Sequence, residues 1–132
     1  AKLKYYDKPL LDVPLPMDPV KCEKFKTQEL VNTVWAFATL QHLKLKVLEV
    51  VKDEMISRCK AGAQRKQMVP QDVSNLVWAY GTLRERPIAL LMELADLSLR
   101  HFVSEFHPQH LINIAWAFAT LRVPHDLMKA IS

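Results

Sequence analysis

The chain writes nearly one sentence three times: LVNTVWAFATL at Leu30–Leu40, NLVWAYGTL at Asn75–Leu83 and LINIAWAFATL at Leu111–Leu121. Aligned on Trp35, Trp78 and Trp116, each copy has Gln seven residues earlier (Gln28, Gln71, Gln109) and Asn three residues earlier (Asn32, Asn75, Asn113). Each Trp is followed by Ala (Ala36, Ala79, Ala117), an aromatic ring (Phe37, Tyr80, Phe118), a small residue (Ala38, Gly81, Ala119), then Thr and Leu. A reused unit cannot bury its apolar face alone, so its neighbours must cover it, and the unit itself becomes the functional device.

The tryptophans are 43 and 38 residues apart. Periods of this size belong to helical-hairpin solenoids or to propellers. A propeller needs many short strands and tight turns, and only 2 glycines occur in 132 residues. The pattern therefore predicts an all-α chain, a solenoid of three helical hairpins spanning 25–67, 68–105 and 106–132. The expected helices are 27–40 and 43–60, 70–83 and 87–103, and 108–121 and 124–131. Pro70 and Pro108 sit at first-turn positions that tolerate a missing N–H, with Thr27 in that place in the first copy. Leu90, Leu91, Leu94 and Leu97, and in the first copy Leu45, Leu48, Val51 and Met55, recur at three- and four-residue spacing as apolar stripes. Pro9, Pro14, Pro16 and Pro19 forbid a long helix near the start, so 1–24 reads as an extended arm. The third B segment reads as cut short, leaving Leu127, Met128 and Ile131 to be covered by further repeats, the arm or a neighbouring subunit.

Composition narrows the chemistry. Cys22 and Cys59 are far apart and form no CxxC, so a zinc site or a disulfide framework is not indicated and two buried thiols are expected. There is no Gly-rich phosphate loop and no HExxH. His107 and His110, with His101 nearby, lack a third ligand. The expectation is a non-enzyme with no cofactor, no metal and no small-molecule substrate. No apolar run approaches the ~18 residues of a membrane span. The net charge of +4, from 18 Lys plus Arg against 14 Asp plus Glu, permits contact with nucleic acid.

Offsets of −7, −3 and +4 from each Trp put Gln, Asn and Thr on one helical face. An invariant polar stripe serves either as a hydrogen-bond ladder between copies or as a contact to something regular, such as a phosphate backbone. The ladder is the favoured reading for Asn, and each Trp is read as packing between units, so Gln28, Asn32, Trp35, Gln71, Asn75, Trp78, Gln109, Asn113 and Trp116 form a set that builds the repeat. A reader of bases must differ between copies. Offset −6 is polar and variable, making Glu29, Asp72 and His110 the base-reading candidates. The competing reading of this offset is favourable acidic charge at a helix start, which suits Glu29 and Asp72 better than His110. The extra length of the first period falls in SRCKAGAQRKQ, read as a basic loop whose Arg58, Lys60, Arg65 and Lys66 contact phosphates.

PQDVSNLVWAYGTL and HPQHLINIAWAFATL resemble the octotricopeptide repeats, helical pairs of 38 residues, and the related heptatricopeptide and FAST-kinase-like repeats that share N..WA.A.L. The likeness covers about Phe25–Ser132, and the longer first period departs from it. It implies a right-handed α-solenoid in an organellar protein, mitochondrial or alternatively chloroplast, that binds single-stranded or ribosomal RNA without catalysis. A structural subunit or protein-binding scaffold of a large organellar complex, such as a mitochondrial ribosome, is the alternative it allows. Three repeats reading about one base each cannot select a transcript unaided.

Overall fold

The computed structural model describes residues 22–40, 45–61 and 68–131. All of its regular elements are helical, with no strand among the described residues. They are α1 (Thr27–Leu40), α2 (Leu45–Ala61), α3 (Pro70–Leu83), α4 (Ile88–Leu97), α5 (Pro108–Leu121) and α6 (Leu127–Ile131). None of the described helices is long and apolar enough to cross a membrane.

Helices α1, α3 and α5 carry the three sequence copies and begin and end where the motif places them. Proline opens the last two. Both end at a left-handed residue, Arg84 (φ 59°) and Arg122 (φ 57°). At these ends Glu85 N–H donates to the Tyr80 carbonyl and Val123 N–H to the Phe118 carbonyl, satisfying carbonyls that the helix leaves open.

The other three helices depart from the expected bounds for identifiable reasons. Beyond α4, Ser98 Oγ donates to the Leu94 carbonyl at 2.7 Å inside the core. A hydroxyl bonded back one turn loosens the backbone ladder, and the chain continues as a π turn (Ser98–Phe102) and a 3-10 turn (Val103–Glu105). The last helix starts at Leu127 rather than at Pro124, because the Leu127 N–H donates to His125 Nδ1 at 2.9 Å. The other ring nitrogen, Nε2, lies 2.6 Å from Asp96 Oδ1 on α4, which anchors this start. Helix α2 runs on through Arg58 and Lys60 to Ala61, so the expected basic loop begins later; Arg65 and Lys66 lie outside the described residues. Residues 22–24, expected in the extended arm, enter a helical turn, and the rest of the arm, 1–21, lies outside the described residues.

Helices α1, α3 and α5 pack side by side in one row, and α2 packs on α4, while α6 rests on the π turn. Contacts of Ser74 with Asn113 and of Gly81 with Trp116 and Ala117 show that α3 and α5 run parallel. The core lies between the rows, where Phe37, Tyr80 and Phe118 meet Leu30, Leu76, Leu91, Leu94 and Ile114, all buried. Burying each large ring or branched chain stabilises the fold by about 1.5–3 kcal/mol. Cys22 and Cys59 are buried free thiols, and burial pushes them up to about 11 and about 12. Leu127 is itself fully buried and Met128 packs against the core, so these two are not the uncovered apolar surface expected at this end.

Candidate nucleic-acid interface

Each of α1, α3 and α5 turns the same side outward. Gln28, Gln71 and Gln109 are exposed, and Asn32, Asn75 and Asn113 are half-buried beside them. Thr39 is exposed, and Thr82 and Thr120 are half-buried, near the helix ends. The tryptophans lie in the middle of this face. Trp35 and Trp78 are half-buried with ring centroids 5.8 Å apart and planes tilted by 30°, whereas Trp116 is 41% exposed. The rings thus pack between neighbouring helices and also present an edge or face to solvent.

The expected Asn ladder has a rung at one junction. Asn113 Nδ2 donates to Ser74 Oγ at 3.1 Å, and Gln109 Nε2 donates to Asn113 Oδ1 at 3.0 Å. At the α1–α3 junction the residue matching Ser74 is Val31, which cannot accept. Among the described residues, the side chains of Gln28, Asn32, Gln71 and Asn75 make no hydrogen bond, so four amides keep donors and acceptors directed to solvent. Such groups can bind a polar ligand without first breaking an internal bond.

The variable positions share one local task. Lys26 N–H donates to Glu29 Oε1 at 2.7 Å, Val69 N–H to Asp72 Oδ2 at 3.1 Å, and His107 N–H to His110 Nδ1 at 3.2 Å. In all three copies the side chain three residues into the helix reaches back to the entry N–H, half of a capping box. An unprotonated imidazole nitrogen serves where the other copies use a carboxylate. Asp72 is buried, and burial raises its pKa against the lowering effect of its bond to Val69. Burial and the neighbouring His107 lower the pKa of His110.

Arg58 is corrected from a phosphate contact to an internal brace. It is 2% exposed, its Nε is 2.7 Å from Glu54 Oε2, and its Nη atoms donate to Thr27 Oγ1 (3.0 Å) and the Phe25 carbonyl (2.6 Å). Weaker contacts reach the carbonyls of Cys22 and Glu23. No donor is left for a ligand, and the side chain ties the entry of α1 to the end of α2. Lys60 is exposed on the last turn of α2.

Two cations escaped the sequence reading. Arg84 and Arg122 follow their tryptophans by six residues, are exposed, and among the described residues pair with no carboxylate. The signal was present as that shared offset, but the first copy has Gln41 there and hides it. Left-handed backbone at a non-glycine residue costs about 1–2 kcal/mol, so these arginines stand where glycine would be more stable. Arg86, between them in the fold, is engaged otherwise: its Nε donates to the Leu121 carbonyl at 2.7 Å and its Nη2 to the Arg122 carbonyl at 3.0 Å, capping α5 from the neighbouring hairpin.

Compared with protein-family models, with curated proteins and with solved structures, the chain matches none.

Proposed function

We propose that this chain is a non-catalytic RNA-binding protein built as a solenoid of three helical hairpins, and that the outward face of its α1–α3–α5 row is the binding surface. The observation that carries this reading is the regular array of solvent-directed amides around half-exposed tryptophans. Single-stranded RNA offers what such a face can use: unstacked bases for indole rings, worth about 1–3 kcal/mol per base, and hydroxyl and phosphate oxygens for amides. Arg84 and Arg122 supply positive charge at the helix ends, and Lys60 is a further phosphate candidate. Because Gln, Asn and Trp do not vary between copies, the contact is largely independent of base identity. Base preference, where it exists, falls to Glu29 and to the free Nε2 of His110 more than to buried Asp72.

The resemblance to octotricopeptide repeats supports a mitochondrial or chloroplast setting and a single-stranded or ribosomal RNA target. The alternative role, a structural subunit of an organellar assembly such as a mitochondrial ribosome, draws support from the open flank of α5 described below.

Changing Gln28 and Gln71 together to Glu tests the surface. Both are exposed near helix N-termini, where a carboxylate favours the helix by about 0.3–1 kcal/mol. The variant should stay folded and lose affinity for single-stranded RNA in a fluorescence-anisotropy titration. Full affinity in a folded Q28E/Q71E protein would place the RNA elsewhere or remove it.

A further inference from the structure

Each helix of the α1–α3–α5 row has a flank formed by the residues four before, one before and three after its Trp. On α1 these are Val31, Val34 and Ala38, and on α3 they are Ser74, Val77 and Gly81; all six are buried, by the helix that follows in the row. On α5 the same positions are Ile112, Ala115 and Ala119. Ile112 is 61% exposed, Ala115 half-buried and Ala119 exposed. A groove of about 380 Å³ adjoins this flank, lined by Phe118, Ala119, Arg122, Val123, Pro124 and Met128.

We infer that the α5 flank is a docking site for one more helix of the same kind, carrying Asn-x-x-Trp-Ala and supplied by a partner polypeptide. The two occupied junctions define what fits. At the α3–α5 junction the incoming helix brings Asn113 to Ser74 and sets Trp116 and Ala117 against Gly81. At the α1–α3 junction the receiving flank is apolar with a small Ala, and the incoming Trp78 lies on Trp35. Ile112 and Ala119 match Val31 and Ala38, not Ser74 and Gly81. The occupant therefore resembles α3: its Trp covers Trp116, and its Asn makes no rung with Ile112. A second copy of this chain does not offer such a helix. The motif faces of α3 and α5 are already used, and Ala36, the counterpart of Ala79 and Ala117 on α1, is 1% exposed. The inference stands apart from RNA binding, because the flank is a different side of the row from the outward face.

A lactam-stapled helix with the sequence of Val69–Arg84 serves as the partner probe, titrated into the isotopically labelled full chain. The Trp116 indole and the Ile112 and Ala119 amides should shift saturably. A119R, an exposed helical position where Arg is well tolerated, should weaken binding about tenfold or more, and a probe with its Trp changed to Ala should fail to bind. Absence of shifts on this flank, affinity unaffected by A119R, or sedimentation showing that the chain dimerises through the flank overturns the inference.

Discussion

The edge of the Trp116 indole occupies the space that a side chain on residue 81 would need. A Cβ built on Gly81 would lie 2.8 Å from Trp116 Cζ3 and 3.3 Å from the Ala117 Cα. The other copies have Ala at this offset, so the second copy gives up helix propensity to let α5 approach. In Gly81→Ala, the helix gains about 1 kcal/mol and overpacking costs about 1–3 kcal/mol. Denaturant unfolding should show a net loss of up to about 2 kcal/mol. In a Trp116→Ala background the same change should be neutral or stabilising, since the ring is gone. Equal effects in both backgrounds would mean that Trp116 does not set the helix spacing.

Tyr80 stands where the other copies have Phe, and its hydroxyl is buried with no hydrogen-bond partner among the described residues. Burial raises its pKa. A buried, unsatisfied hydroxyl costs about 1–3 kcal/mol, so Tyr80→Phe should raise the unfolding midpoint. A loss of more than about 1 kcal/mol would show that the hydroxyl is bonded in solution.

His110 holds the start of α5 only while its Nδ1 is unprotonated. Its pKa in the folded chain lies below the ordinary 6.5, so the unfolded chain binds the extra proton first. Stability from this cap is fully present above about pH 6.5 and declines as pH falls toward the lowered folded value. His110→Asp, the residue of the second copy, should flatten that decline in thermal unfolding between pH 7 and 5. An identical pH profile in the variant would remove His110 from the cap.

These sites show where sequence suffices. The bounds of α1, α3 and α5 were legible because proline at the first turn and an eleven-residue motif act within one helix. The cap at His110 was obscured because it depends on one ring nitrogen standing in for a carboxylate, a matter of geometry rather than residue class. Arg58 read as a loop cation because the groups that bury it lie more than thirty residues away along the chain. The π turn after α4 depends on how one buried Ser hydroxyl is oriented. The exposure of Ile112 follows from the absence of a neighbour on that side, which no local pattern carries.

The most direct measurement of the binding surface uses the strained arginines, because fold and function should move in opposite directions. Arg84→Gly and Arg122→Gly together relieve two left-handed residues. After the loss of favourable charge at the helix ends, this should leave a gain of about 0.5–1 kcal/mol per site in unfolding experiments. The same variant should bind single-stranded RNA more weakly, with the slope of log affinity against log salt shallower by about 0.7 for each phosphate contact removed. A stabilised variant whose RNA affinity and salt slope match those of the original chain would contradict the account.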